Sequence, residues 1–490
     1  MAKRSKRYID IQLEPTYRHT RDHFYQHIME INLAHVLMLR DQAILDSDDA
    51  REILDATYKL YKQSYTKEYD DRYEDLFFML EADLTEIIGP MLVGNMHIAF
   101  SRNDMDTTMF RMFWREKITT WLDKVNALRR TILALVKEHK HTIMTAHTHN
   151  QQAQPTTLAH YLLAVENNLQ RDTKRGLELY KRINVSPMGA AALSTTGFNI
   201  DRHHIGTQLG FDSPMANSYD AISASDFMME ISSVLSISLS SISRFVYDLI
   251  FMTTNEVNTL RLHDQHVQTS SIMPQKRNPS ALEHTRASIS KAMGELQGTM
   301  FLTHNVPLGD IVDIGDDIQM PLYSGYSQTI NILDILTEIL EHGTFHKERL
   351  LYHAQNGFST VTELADVLVR NYEVPFRISH GIVSKFVKEL LAEGNDLTNG
   401  SANKVNKIAQ HEFQLLLNVS EEDYRKAVCP KNFINVRDIL GGPAATEVEN
   451  QYVTCLETLT YDESWVKATF EKLDNYILRL HETVEMSIKR

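Results

Sequence analysis

ITTWLDKVNALRRTILALV, residues 118–136, places its apolar side chains at the spacing of one helix face. The residues on that face are Ile118, Trp121, Leu122, Val125, Leu128, Ile132 and Val136. Neither glycine nor proline interrupts the chain from Asn95 to Gln154. The stretch therefore predicts a long helix in the core of the protein.

The same rhythm recurs through the middle of the chain. Residues 217–254 also lack glycine and proline, and residues 156–182, 280–304 and 321–342 carry three further helical patterns. Together these segments predict a bundle of about five long helices. Apolar faces this wide often bury more than one neighbour, so we expect subunits to share the bundle.

Helical regions flank the bundle on both sides. Residues 1–24 predict a polar arm, after which helical patterns run as far as Pro90 and Gly94. After Gly357 the helices become shorter, and a terminal helix is expected from about Glu463. The predicted fold is all-α, with three helical domains at residues 1–104, 105–357 and 358–490.

The composition limits the partners and the compartment. The chain has 490 residues and a formal net charge of −14, which disfavours nucleic acid or an anionic membrane as the main partner. Two cysteines, Cys429 and Cys455, cannot form a disulfide framework, which favours a reducing, cytoplasmic setting. No secretory signal or membrane-spanning run is expected.

Two polar clusters interrupt the helical patterns in the first half of the chain. In Ser101-Arg102-Asn103-Asp104 a guanidinium and an amide could hold a carboxylate, although an exposed helix start would look the same. In His147–Pro155 imidazoles and amides could bind an anion or move a proton, with Pro155 read as the start of a helix. The histidine spacing predicts no metal site, and no nucleotide or cofactor motif occurs.

The third cluster is the polar loop Thr269–Pro279, TSSIMPQKRNP. Such loops often hold ligands. The alternative is a surface hinge in which Asn278 is an N-cap and Pro279 the first helical residue. Glu283 likewise fits a capping box with Ser280, so a purely structural role stays open for it.

In this order the clusters resemble the fumarase/aspartase superfamily, and most closely its argininosuccinate lyase branch. The likeness is close to full length. The loop resembles the superfamily signature with the branch's Met-Pro-Gln-Lys. The other matching motifs are Ser101–Asp104, Thr148-His149, Ala153–Pro155, Arg171-Asp172, Ser186-Pro187, Gly197–Arg202, Asn217–Ala221, Thr362–Asp366, Pro375–Arg377 and Gly441-Gly442.

The resemblance implies an architecture and a reaction. The expected assembly is a homotetramer with a twenty-helix core, in which three subunits build each active site. The expected reaction is a reversible anti-elimination on a small dicarboxylate that breaks a C–N bond and releases fumarate, with no cofactor. A catalytically silent, crystallin-like tetramer is the alternative from another class.

The resemblance also implies roles for particular residues. Ser270 is the expected base, with Lys276 stabilising its anion, and His149 oriented by Glu283 is the expected proton donor. Asn278 and Lys276 would hold the reacting carboxylate. The other expected substrate-binding residues are Ser101, Arg102, Asn103, Thr148, Gln154, Ser271 and Met273.

The chain departs from the branch where the branch binds the amine half of its substrate. Asp310, Val312 and Gly315 stand where the branch offers Tyr, Lys and Gln, Phe77 replaces a His, and Asn32 lies in place of Gly-Ser. Losing these hydrogen-bond partners should cost several kcal/mol of binding for a guanidine.

We therefore expect a different N-substituted L-aspartate as substrate, with a positively charged leaving amine met by Asp310, Asp313 or Asp316. The candidates for the amine pocket are Asn32, Phe77, Asp310 and Asp313. The motif Glu74-Asp-Xaa-Phe-Phe resembles the ethylenediamine-disuccinate lyase subgroup. A genuine argininosuccinate lyase with an unusual pocket is the second hypothesis.

Overall fold

The fold is all-α, as predicted, in a computed structural model that describes residues 4–489. The α-helices are α1 Lys6–Tyr8, α2 Glu14–Asp41, α3 Ser47–Tyr61, α4 Leu76–Met96, α5 Arg102–Glu138, α6 Leu158–Ile183, α7 Arg202–Gln208, α8 Ser218–Ser223, α9 Asp226–Thr253, α10 Ser280–Leu302, α11 Ile318–His342, α12 Lys347–Gln355, α13 Val361–Tyr372, α14 Phe376–Ala392, α15 Ala402–Phe413, α16 Glu421–Ala427, α17 Pro430–Asn435 and α18 Ala445–Lys489. Short π-helical turns cover Ile9–Leu13 and Asp313–Asp317, and 3-10 turns cover Asp264–His266 and Leu397–Asn399.

Short strands pair two by two between the helices. They are β1 Ile143–Thr148, β2 Gln151–Thr157, β3 Val185–Ser186, β4 Ser213–Pro214, β5 Leu260–Arg261, β6 Gln268–Thr269, β7 Arg277–Asn278 and β8 Thr344–Phe345. The pairs are β1 with β2, β3 with β4, β5 with β8, and β6 with β7.

The predicted bundle of five long helices consists of α5, α6, α9, α10 and α11. Helix α5 packs on α6 and α11, and α10 packs on α9 and α11. The predicted apolar face of α5 is buried, with Trp121 and Leu122 fully inaccessible. Helix α9 is long and apolar enough to cross a membrane by length and composition. Its packing against α6 and α10 makes it a core helix of the bundle instead.

The region before the bundle is more helical than expected. The predicted arm is instead mostly helix, because α2 already begins at Glu14 and Tyr17 on it is buried. Helix α4 continues past Pro90 to Met96, across a kink at Gly89 with φ of 79°. Glycine accepts this left-handed backbone without a clash, and the kink divides α4 into two helical segments.

A β-hairpin replaces the last part of the helix predicted over residues 95–154. Strands β1 and β2 are antiparallel, and the turn between them consists of His149 and Asn150. Both turn residues are left-handed, with φ of 52° and 58°, which matches the twist of a two-residue hairpin. Pro155 lies in β2 and does not start a helix, since α6 begins at Leu158.

The end of the chain divides between two hydrophobic cores. Helices α13 to α16 enclose a small core of their own, in residues 364–427. Helix α18 returns to the main body and packs on α5, α6 and α3. It begins at Ala445 and not near Glu463, so the expected terminal helix was too short. The three domain boundaries stay predictions.

Candidate active site

The start of α5 opens onto a cavity of about 180 Å³. Ser101 is the N-cap of α5, and its Oγ accepts the backbone N–H of Asn103 at 3.3 Å. Arg102 lines the cavity, forms an ion pair with Asp75, and lies 3.9 Å from Glu74. The Asn103 amide donates to a loop carbonyl, that of Ala192, at 3.2 Å. The start of α5 is thus capped by Ser101, and its Arg102 adds a positively charged group to the cavity lining.

Carboxyl groups dominate the other walls of this cavity. Asp75, Asp106, Asp310 and Asp316 all line it. Burial, followed by repulsion from Asp316 and Asp75, raises the pKa of Asp106 well above its ordinary value. Burial and the same kind of repulsion raise the pKa of Asp316 to about 6. The cavity therefore contains more carboxyl groups than Arg102 can pair with, and their crowding favours the uptake of protons or of a cationic group.

The candidates for the amine pocket do not all meet here. Phe77 lines the cavity and stacks on Phe100, with 6.2 Å between ring centroids, and Asp310 lines it as well. Asp313 and Asn32 are not among the residues that line it. Asn32 is buried in α2, where its Oδ1 has no hydrogen-bond partner among the described residues.

The hairpin forms a second cavity, of about 540 Å³. Its lining includes His147, His149, Arg244 and Asp248. The His149 side chain is exposed at the hairpin tip, directly after Thr148 at the end of β1. On β2, Gln154 is exposed and its Nε2 donates to the Thr362 hydroxyl at 3.2 Å.

The polar loop is a hairpin loop of seven residues, Ser270–Lys276, between β6 and β7. The Oγ of Ser270 accepts two backbone N–H groups, that of Ile272 at 3.3 Å and that of Met273 at 3.0 Å. Arg277 fixes the base of the loop, since it pairs with Asp264 at 2.7 Å.

The helix start after this loop differs from the structural alternative. Asn278 lies in β7, and Pro279 is the N-cap of α10. The alternative required Asn278 as the N-cap and Pro279 as the first helical residue. No side chain caps α10, and Glu283 is exposed in its first turn without the predicted capping-box bond. Lys276, Ser271 and Met273 are exposed around Ser270.

Arg102 lies far from the other two groups of candidate residues within one chain. Helix α5 has 37 residues, so about 55 Å separates Arg102 from the helix end that leads to the hairpin of His149. Helix α10 has 23 residues, so about 35 Å separates the Ser270 loop from the helix end that leads to Asp310. Arg102, at the Asp310 end, and Ser270 therefore occupy opposite ends of the bundle.

Comparison with known proteins supplies the family. The profile of the family described as Lyase matches residues 39–294, a span that includes Arg102, His149 and Ser270, and that described as Argininosuccinate lyase C-terminal matches residues 358–435. An argininosuccinate lyase of Methanocaldococcus jannaschii is 35% identical over 444 residues, 90% of each chain. The chain belongs to the argininosuccinate lyase branch of the fumarase/aspartase superfamily. It is thus a carbon–nitrogen lyase that releases fumarate.

Other members of the argininosuccinate lyase branch extend the likeness. The argininosuccinate lyase of Methanoculleus marisnigri is 37% identical over 440 residues, 90% of this chain and 88% of that protein. A structure of EDDS lyase in complex with formate superposes with a TM-score of 0.90 at 28% identity, covering 100% of this chain and 97% of the other. The class II fumarase of Schistosoma mansoni, at 16% identity and a TM-score of 0.68 over 84% and 90%, shares the fold. The family processes small dicarboxylates and is generally oligomeric.

Sequence reasoning overlooked Asp75 and Asp106 in the cavity of this lyase. Asp106 follows Arg102 by four residues, which places both on one face of α5. That spacing is visible in the sequence. Asp75 caps α4 and meets Arg102 from another element, a contact that no local pattern signals.

Proposed function

We propose that this lyase cleaves an N-substituted L-aspartate by anti-elimination, with Ser270 as the base. The observation that carries the proposal is the pair of backbone N–H groups donated to the Ser270 Oγ. A serine hydroxyl is a poor base in water, and donors already aimed at its oxygen stabilise the alkoxide that must form. Lys276 in the same loop contributes a positive charge nearby.

The proton for the leaving nitrogen comes from His149, oriented by Glu283. His149 lies at the exposed tip of a hairpin, and Glu283 lies exposed in the first turn of α10. Neither side chain makes a hydrogen bond to another described residue of its own chain. Both are therefore available to complete a site with a second subunit.

The site is assembled from three subunits of a homotetramer. Acid–base catalysis requires heavy atoms within hydrogen-bond reach of the substrate. One chain holds Arg102 and Ser270 at opposite ends of helices about 35 to 55 Å long. Different subunits therefore supply Arg102 and Ser270 to one substrate, and we infer that a third subunit supplies His149.

The substrate's two carboxylates divide between these groups. Asn278 and Lys276 hold the reacting carboxylate, and Ser101, Arg102, Asn103 and Thr148 hold the other. Ile272 is 86% exposed and Met273 44% exposed at the loop tip. These apolar side chains, with Ser271, close over the substrate and exclude water, while Gln154 contacts it from the hairpin.

The leaving amine is not arginine. Asp310, Val312 and Gly315 line the Arg102 cavity beside Phe77, and the nearby carboxyl groups favour a positively charged amine. Asp316 lies there too, whereas Asn32 and Asp313 stay weaker candidates. We place the enzyme in the cytoplasm, as an enzyme of amino-acid metabolism.

The test supplies fumarate with arginine or with a panel of diamines and amino acids, and follows the loss of fumarate absorbance. A diamine or amino acid should react with a higher kcat/KM than arginine. Preference for arginine contradicts the changed substrate.

A genuine argininosuccinate lyase is the second candidate, since the relatives at 35% and 37% identity carry that name. Growth of an arginine auxotroph on this gene, without supplied arginine, would favour it.

A further inference from the structure

The cavity at the start of α5 contains carboxyl groups that elimination itself does not require. Among the described residues that line it, Arg102 is the one cation. The carboxyl groups of the lining are Glu74, Asp75, Asp106, Asp310 and Asp316. A substrate with two carboxylates would be repelled by such a wall, unless another part of that substrate is positive.

The positive charge of Arg102 is already balanced by carboxyl groups of the same chain. Its guanidinium pairs with Asp75 and lies 3.9 Å from Glu74. Within residues 4–489, no side chain donates a hydrogen bond to Asp106 or Asp316, and no cation forms an ion pair with either. The two carboxyls nevertheless share a poorly solvated space, in which their repulsion raises both pKa values.

Asp106 also has a fixed place relative to the substrate. It follows Arg102 by four residues in α5, so the two side chains project from one helix face about 6 Å apart. A substrate carboxylate held at Arg102 therefore lies beside Asp106. This proximity follows from the geometry of the helix. It does not depend on how many carboxyl groups line the cavity.

The chain itself closes the cavity and keeps it small. Tyr8 and Gln12 line it, and the Gln12 Nε2 donates to Asp317 Oδ1 at 2.5 Å. On the other side, Arg4 pairs with Glu74 at 3.1 Å. The volume of about 180 Å³ is below the roughly 300 Å³ at which pockets for drug-sized ligands begin. A substituent bound here must be short.

We infer that Asp106 is a specificity-determining residue that binds a cationic group at the far end of a short leaving amine. Asp316 lines the same cavity and interacts with the same cationic group. The inference rests on the proposed function and adds to it the residue and the kind of amine selected.

The experiment compares two amines that differ in one group, 1,2-diaminoethane and n-propylamine, each added to fumarate by the full-length enzyme. The neutral nitrogen bonds to one alkene carbon and a proton goes to the other, while the second nitrogen of the diamine stays charged. Wild type should favour the diamine at least tenfold in kcat/KM. Asp106→Asn should lower the diamine value roughly tenfold to hundredfold, because a charge-assisted contact is lost. It should change the propylamine value less than about twofold.

Two further variants serve as controls. Asp123→Asn, at an exposed position of the same helix, should change neither value. Asp106→Glu keeps the charge and should retain part of the preference, while thermal unfolding shows that both Asp106 variants fold. Equal loss on both amines, or a wild type without preference for the diamine, overturns the role of Asp106. If none of the amines reacts, or if only arginine reacts, the proposed function is refuted, and this role of Asp106 with it.

Discussion

At the scale of single residues, the chemistry depends on how the fold prepares an ordinary hydroxyl. Ser270 is neither deeply buried nor paired with a base, yet two backbone N–H groups already point at its oxygen. These donors are part of the hairpin loop and need no reorganisation when the alkoxide forms. Lys276 adds charge without a described partner of its own.

In the proposed mechanism, Ser270→Ala removes the oxygen that takes the proton. We expect kcat to fall by roughly 10³-fold or more, with KM changed little, because general-base catalysis typically contributes 10²–10⁴-fold. Fumarate formation from an active N-substituted aspartate measures the effect. The exposed Ser464 on α18 provides the matched control, and Ser464→Ala should keep full activity. Unchanged turnover in Ser270→Ala would remove Ser270 as the base.

The buried His35 makes the stability depend on pH. Burial lowers its pKa to about 4, although its Nε2 lies 2.9 Å from the Ile98 carbonyl. The unfolded chain takes up this proton below about 6.5, before the folded chain does, so stability is full above that pH and falls toward pH 4.

The decrease in the free energy of unfolding that is due to His35 should reach about 3 kcal/mol near pH 4. In His35→Gln the free energy of unfolding, measured with denaturant at several pH values, should lose that part of its acid dependence. The difference between wild type and variant isolates this group from the carboxyls that titrate in the same range. Identical pH profiles would show that His35 does not titrate as burial requires.

At the scale of elements, the long helices followed from the sequence because periodicity and missing breakers report burial directly. The hairpin over residues 143–157 did not, since its turn uses His149 and Asn150 where glycine would have signalled a turn. The capping box at Glu283 was not correct either. No described side chain caps α10 although the spacing of Ser280 and Glu283 fits a capping box, so the spacing alone does not decide whether the bond forms.

The residues of the candidate site also divide into those that the sequence predicts and those that it does not. The residues of the polar loop and of Ser101–Asn103 could be named from the sequence because their motif is continuous. Asp75 and Asp106 could not, because their significance comes from the cavity that α4, α5 and the turn Asp313–Asp317 form together. Distances between helices decide that cavity, and one sequence does not contain them.

Docking of α18 depends on a buried ion cluster. Arg129 is fully buried and pairs with Glu166 at 2.9 Å and with Asp462 of α18 at 2.7 Å. Asp462→Ala should destabilise the fold by about 3–5 kcal/mol, because it leaves part of a buried charge unmatched. Thermal and denaturant unfolding measure this.

The neighbouring pair is the control for α18. Arg130 and Glu463 join the same two helices at the surface, so Glu463→Gln should cost less than about 1 kcal/mol. Similar losses in the two variants would show that burial of Arg129 does not set the strength of docking.

At the scale of the whole molecule, one chain presents three incomplete parts of a site. The cavity of Arg102 lies far along the bundle from the loop of Ser270 and from the hairpin of His149, so one chain does not bring Arg102 and Ser270 to one small substrate. In the proposed tetramer, the wide faces of the bundle bring copies of these parts from different subunits together. Dissociated subunits should therefore lack activity even when each is folded.

Mixed oligomers of two inactive variants test the proposed shared site. Arg102→Leu and Ser270→Ala should each be inactive alone. When the two variants are unfolded together and refolded as a mixture, some sites receive an intact Arg102 from one subunit and an intact Ser270 from another. The mixture should then regain a substantial fraction of the wild-type rate of fumarate release. A mixture no more active than either variant alone would contradict a site built between subunits.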